Sequence, residues 1–228
     1  MGTLAADEKI LSYNDVVLRQ SDLDILSGPF FLNDRIIEFY FSYLMSSYPS
    51  DDILLVSPVV AFWIGNCPDE EALRVFMEPL NLGAKKLVIF PINDNNDVTR
   101  AEGGSHWSLL AFERNANIFV HHDSFRGANS WHAERLYASV VGFMGCSESH
   151  GRYVEYADTP QQVNGYDCGV FVIAIARAIC CWYVSSGGSN GDDEDGLWFS
   201  AMKEQVTLSA VAEMRSVILR LIRSLMAV

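Results

Sequence analysis

The sequence predicts an α+β domain, with strand-like segments in the middle of the chain and helical periods towards both ends. Three observations carry that reading. LVIFPI, HWSLLAF and NIFVHH are short, apolar runs rich in β-branched and aromatic residues, as buried strands are. CGVFVIAIARAICCWYV is too long and too apolar for a strand and reads as a buried helix. With 228 residues, 50% of them hydrophobic and 12% aromatic, the chain can build one sizeable core and is marginal for two, so one domain over residues 1–228 is expected.

Taken in order, LSYNDVVLRQ reads as an early strand of mixed polarity. In FFLNDRIIEFYFSYLMSSY, Asn33 or Asp34 stands as an N-cap before apolar positions at helical spacing, which predicts a helix from about Asp34 to Ser47. SPVVAFWIG and PDEEALRVFMEPL each follow a cap or proline, and PDEEALRVFMEPL adds an acidic first turn, so two shorter helices follow. LVIFPI is the central strand and NDNNDVTRAEGG a loop. HWSLLAF and NIFVHH make a hairpin turning around Arg114 to Asn117. SWHAERLYASVVGFM is helical in period and RYVEYAD is a strand. Ser185 to Gly196 is a flexible acidic loop, and an amphipathic helix from about Leu197 to Leu225 closes the chain within the segment 197–228.

Sixteen Lys and Arg against 29 Asp and Glu leave a net charge of −13, which argues against a nucleic-acid partner, since such binders draw their affinity from cationic side chains. A basic protein surface suits this charge better, and solubility alone accounts for it equally well. The five cysteines are Cys67, Cys146, Cys168, Cys180 and Cys181, an odd number without a C-x-x-C pair, and no basic, apolar leader opens the chain. Free thiols in a reducing compartment are expected, with no membrane span, because the apolar stretch Val170 to Val184 is interrupted by Arg177 and falls short of the roughly 20 residues a bilayer requires.

Cys168 stands between Asp167 and Gly169 at the expected start of the buried helix. Unpaired N–H groups and the helix dipole at such a position favour a thiolate, the nucleophilic form of cysteine. Alone this is weak, because a lone cysteine at a helix start is more often structural. The hairpin adds to it. A turn near Asn115 brings His106, at the start of one strand, beside Asp123, at the end of the next. A base and an acceptor that orients it are what a cysteine nucleophile needs. Individually His106 reads equally well as a loop-edge residue and Asp123 as a strand-end cap. Gln162 offers a side-chain amide for an oxyanion, with Asn164 as the rival donor. His121 and His122 suggest a metal only superficially, since no Cys or His pairs stand at ligand spacing elsewhere, and no metal or cofactor is expected. His132 and His150 read as surface positions.

GGSHWSLL, HHDSF and QVNGYDCGVFV resemble the three motifs of the Ulp-type cysteine proteases, the sentrin- or SUMO-specific family that cleaves ubiquitin-like modifiers. FFLNDRIIEFYF, FMEPLNL and INDNN extend the resemblance over most of Leu11 to Val184 and point to its deneddylase branch. The resemblance implies a papain-like fold with a central mixed sheet flanked by helices. It implies His106 as general base, Asp123 as its orienting acid, Cys168 as nucleophile and Gln162 as oxyanion donor. Trp107 matches the aromatic residue that covers the modifier's glycine tail, and Phe31 stands where relatives commonly carry tryptophan. Asp34, Asn93, Asp94 and Asn95 carry the deneddylase likeness, as groups facing the arginine before the modifier's glycines; Asp34 alternatively caps its helix. The acidic segment Ser185 to Gly196 has no counterpart among the motifs.

The implied activity is an isopeptidase that cuts after the C-terminal Gly-Gly of a Nedd- or Rub-type modifier. The alternatives are a SUMO protease of the same fold and a non-catalytic modifier-binding module. The implied partners are the modifier and its conjugates, for a monomeric protein of cytoplasm and nucleus, without nucleic acid or membrane.

Overall fold

Five strands in the order β3-β4-β5-β6-β7 form the sheet around which the chain is built. The computed structural model describes residues 7–100, 103–145, 151–186 and 196–227. The strands are β3 (Ile53–Leu55), β4 (Leu87–Asn93), β5 (Trp107–Glu113), β6 (Ile118–His122) and β7 (Arg152–Glu155). β4, β5 and β6 are antiparallel neighbours, while β3 and β7 add to the two edges in parallel, so the sheet is mixed. The expected hairpin is β5–β6, and Asn117 closes its turn at φ 49.

Pro91 sits inside β4, where a missing N–H would normally break a ladder. It is tolerated because β3 pairs only as far as Ile89, whose carbonyl already accepts from Val56 N. The backbone of alternate residues faces the same neighbour, so the absent donor of Pro91 points to the side where β3 has ended.

Each face of the sheet carries its own core. On one, Leu109, Ala111, Ile118 and Val120 pack against α2 (Asp34–Ser47), α6 (Cys168–Ser185) and α8 (Leu208–Met226). On the other, Leu110, Phe112 and Phe119 pack against α3 (Pro58–Asn66), α4 (Glu70–Met77) and α5 (Ser130–Val140). α6 has the length and apolarity of a membrane span, but 72% of it is buried inside the protein, where it is the central core helix. Arg177, its one charged residue, is exposed.

Asn33 is the cap of α2, accepting from Ile36 N at 3.1 Å, so Asp34 is the first helical residue. Asp69 caps α4 through Glu71 N and Ala72 N. Four segments depart from expectation, the first being the edge strand β3, which the sequence patterns do not predict. LSYNDVVLRQ holds two strands, β1 (Lys9–Tyr13) and β2 (Val16–Arg19), joined at Asn14 with φ 48, a left-handed conformation that asparagine accepts in tight turns. A short helix, α1 (Gln20–Ser27), follows them directly. The last helix is two, α7 (Phe199–Gln205) and α8, because Val206 turns into the core and Thr207 starts a new helix by accepting from Ala210 N at 3.2 Å. The apolar period runs through that break, which is why it reads as continuous. His150, Cys146 and most of the acidic segment, residues 187–195, lie outside the described residues.

Candidate active site

His106 immediately precedes β5 and Asp123 immediately follows β6, so the hairpin brings them to its open end. His106 Nε2 and Asp123 Oδ1 are 2.7 Å apart and both residues are buried. The carboxylate is aimed by two further donors, Phe125 N on Oδ1 at 2.8 Å and Asn129 N on Oδ2 at 2.9 Å. Burial raises the cost of ionising Asp123, but the His106 ring and these two backbone N–H groups overcome it and hold the carboxyl below its usual range.

Cys168 is the first residue of α6 and lies within hydrogen-bonding reach of the His106 ring. Nε2 is engaged by Asp123, which leaves Nδ1 for the sulfur. Burial disfavours an imidazolium at this position. The Asp123 carboxylate and the Cys168 sulfur outweigh burial, and His106 keeps its proton up to about 9.

Gln162 and Asn164 are both hydrogen-bonded around the loop before Cys168. Asn164 is committed to the loop: its Oδ1 accepts from Tyr166 N and Asp167 N, each at 3.0 Å, and its Nδ2 donates to Asp167 Oδ2 at 2.7 Å. Gln162 is oriented by Ser124 Oγ, which donates to its Oε1 at 2.8 Å, and its Nε2 donates to Asn164 O at 2.7 Å. Each of the two amides keeps one N–H beyond these bonds, and the family resemblance is what assigns the oxyanion to Gln162.

A groove of about 680 Å³ leads to this site, lined among others by Phe31, Asn33, Asp34, Trp63, Asn95 and Trp107. The Trp107 indole N–H donates to Leu32 O at 2.9 Å, which fixes the ring across the groove. Leu32 in turn rests on Gly169: a Cβ there would lie 2.9 Å from Leu32 Cβ. The groove therefore ends one residue from His106 on one wall and against the neighbour of Cys168 on the other.

The deneddylase-like residues divide. Asp34 and Asn95 line the groove, as does Asn93. Asp94 turns the other way, accepting from Ser105 Oγ and His106 N at 2.9 Å each, and so ties down the backbone of the histidine. These bonds hold its carboxyl low against the opposing effect of partial burial. The Asn93 and Asn95 side chains close over Gly103 and Gly104, where an added Cβ would lie 2.4 Å and 2.0 Å from them. Gly104 also has φ 82, so the GGS before His106 is a steric requirement of the loop.

His121 and His122 point to opposite faces of the sheet, as adjacent strand residues do, and so cannot share an ion. His121 lies between Glu155 Oε2 at 2.7 Å and Ser108 Oγ at 2.9 Å. His122 faces Thr159 and Trp198. His132 is half-buried, with Nε2 3.2 Å from Asn96 Oδ1. Among the described residues no cluster of three or more His, Cys, Asp or Glu is placed to hold a metal.

Sequence reasoning passes over several residues around the site. Asp22 is fully buried and receives Arg35 Nη2 at 2.9 Å and Asn33 Nδ2 at 2.7 Å, which anchors the start of α2 beside the groove. Gln161 donates to the carbonyl of Asp123 at 2.9 Å. Trp63 gives the groove an aromatic wall from α3. The available signal was the unusual apolarity of α3 on every side.

Residues 31–189 match the Ulp1 protease family, C-terminal catalytic domain. Over 227 residues, 100% of this chain and 98% of the relative, the sequence is 56% identical to NEDD8-specific protease 1 of Arabidopsis thaliana. It is 40% identical to human sentrin-specific protease 8 over 177 residues, 76% of this chain and 82% of that protein. The fold aligns with the C-terminal Ulp1 protease domain in complex with Smt3, the yeast ortholog of SUMO, at a TM-score of 0.66 and 19% identity, covering 96% of this chain and 88% of that one. A de-sumoylating protease aligns at 0.67 and 17% identity, over 96% and 91%. A buried histidine-carboxylate pair poised on a helix-start cysteine, in a chain matched by that catalytic domain over more than half its length, makes this protein a member of the Ulp1 cysteine protease family.

Proposed function

We propose that the protein is a thiol isopeptidase that removes a Nedd-type modifier by cutting after its terminal Gly-Gly. The observation that carries it is the His106–Asp123 pair at 2.7 Å with Cys168 on the free side of the ring, at the end of a groove narrowed by Trp107. His106 holds the proton shared with Cys168 as an imidazolium, and the sulfur attacks the carbonyl carbon of the last glycine. The spare N–H of Gln162 and the backbone N–H groups at the start of α6 meet the oxyanion. His106 then passes its proton to the leaving amine, and water hydrolyses the thioester. Asp123 keeps the imidazole in the tautomer that this sequence needs. Trp107 and Phe31 admit a tail without side chains and reject bulkier ones. Asp34, with Asn93 and Asn95 beside it, faces the residues just before the glycines.

The Nedd-type preference rests on the relative of 56% identity, which is named a NEDD8-specific protease. The Smt3-bound Ulp1 domain and the de-sumoylating protease of like fold share 19% and 17% of their residues with this chain. The four described thiols, Cys67, Cys168, Cys180 and Cys181, are all free, in keeping with a reducing compartment such as the cytoplasm or nucleus. The test is a panel of Nedd-type, SUMO-type and ubiquitin substrates with electrophilic C-termini, offered to the protein and to Cys168→Ala. A covalent adduct confined to the Nedd-type substrate and absent in the variant is expected. Capture of SUMO alone would end the specificity reading, and an adduct on Cys168→Ala would end the assignment of the nucleophile.

A further inference from the structure

Arg215 lies on α8, beyond the residues 31–189 that match the family domain, and its side chain is only 13% exposed. Its Nε and Nη2 approach Asp167 Oδ1 at 2.9 and 2.8 Å. Nη2 also donates to Phe30 O at 2.7 Å and Tyr166 O at 3.2 Å, and Nη1 donates to Ile25 O at 3.2 Å. The guanidinium carbon stands 5.5 Å from the centre of the Tyr166 ring. A planar fork is the side chain that can meet a carboxylate and several carbonyls at once.

These contacts bridge the two sides of one opening. Asp167 and Tyr166 belong to the loop that delivers Cys168. Phe30 begins the strap Phe30–Leu32, in which Phe31 lines the groove and Leu32 rests on Gly169. Neither segment has regular secondary structure, so no backbone ladder holds it in place. Trp107 fixes the strap from the groove side through Leu32 O. Arg215 fixes it from behind.

We propose that Arg215 is a positioning residue that joins the Phe30–Leu32 strap to the Tyr166–Cys168 loop and thereby sets the width of the tail channel. This inference rests on reading the groove as the channel for the modifier tail. Lysine at this position would retain a charge for Asp167 but, as a compact ammonium, could not reach Phe30 O of the strap as well. Arg215→Lys thus frees the strap while leaving the cysteine loop held, and Arg215→Ala frees both.

The experiment measures kcat and KM for a Nedd-type modifier with a fluorogenic C-terminal amide, together with the alkylation rate of Cys168 by iodoacetamide. Arg215→Lys is expected to raise KM about tenfold with kcat and alkylation within about twofold of the parent, since only binding of the tail is loosened. Arg215→Ala is expected to lose in both kcat and KM. If that variant does not fold, Arg215→Gln, which is neutral but still a donor, takes its place with the same expectation. An unchanged KM in Arg215→Lys overturns the proposal. So does a fall of kcat and alkylation together at constant KM, because Arg215 would then serve the cysteine loop alone. A parent protein that does not cleave the modifier removes the proposed function and this inference with it, whereas an active parent with indifferent variants removes only this inference.

Discussion

His106 and His122 both adjoin Asp123, one through space and the other along the chain, and the fold drives the two imidazoles in opposite directions. Both are buried, which disfavours a charge on each. His106 has a carboxylate on one nitrogen and a sulfur beside the ring, and it keeps its proton up to about 9. His122 lies on the other face of β6 with no anion to answer burial, and with His121 nearby, so its value falls to about 3. Its Nε2 accepts from the Trp198 indole at 2.9 Å, which leaves Nδ1 to donate to Thr159 Oγ1 at 3.1 Å. One histidine is thus built to carry charge and the other to stay neutral as a core hydrogen-bonding residue. A one-residue step along the chain, from His122 to Asp123, is enough to pass from one environment to the other.

Removing the anion should break the contrast most strongly. Asp123→Asn takes away the group that orients His106 and favours its charge, and kcat/KM should fall by about 10³- to 10⁴-fold. Hydrolysis of a fluorogenic modifier measures it, and a loss under tenfold would contradict the role given to Asp123. The folded value of His106 lies above the unfolded 6.5, so its contribution to stability is present below pH 6.5 and lost as pH rises through about 9. The variant should lack that alkaline decline.

His122 has the reverse sign. Its folded value of about 3 lies below the unfolded 6.5, so between these limits only the unfolded chain takes up a proton. Its effect is to lower stability by ~1.4 kcal/mol for each pH unit descended from 6.5 towards 3. His122→Phe should remove this acid decline, while at pH 7 it costs about 1–3 kcal/mol because the Trp198 N–H is stranded in the core. Urea titrations at pH 7 and pH 5 separate the two effects. An equally steep acid decline in the variant would place its origin elsewhere.

The smallest effect is expected at Thr159, which accepts from His122 and donates to Tyr156 O at 2.8 Å. Thr159→Val removes two neutral hydrogen bonds and should cost about 1–2 kcal/mol with turnover unchanged, read as a lowered Tm beside a normal kcat. A fall in kcat comparable to that of Asp123→Asn would mean that the two histidines are coupled rather than merely adjacent.

The residues most legible in the sequence are those whose roles depend on local geometry. Asn33 and the helix after it, the β5–β6 hairpin, and Cys168 at the start of a long apolar helix each follow from spacing within one or two elements. His106 and Asp123 could be paired because one short turn separates their strands. Asp34 against Asn33 as cap stayed open, since that choice depends on which hydrogen-bond partner lies within 3 Å or so. Asp94 illustrates the limit of carrying a role over by resemblance: its carboxylate folds back on Ser105 and His106 rather than lining the groove. The break at Val206 and the turn at Asn14 were hidden because an apolar period can continue through a change of direction.

By itself the sequence determined the α+β class, most of the order of the elements and the three motifs that carry the histidine, the carboxylate and the thiol. These are short-range properties, written in periods of two and of three to four residues and in the turn residues between them. The tertiary structure decided which face of β6 each histidine takes into which core, how Trp107 and Leu32 narrow the groove, and that Arg215 from the last helix reaches the loop before Cys168. Those contacts join residues 48 to 185 positions apart, and their energies depend on burial and on partners that no local pattern specifies.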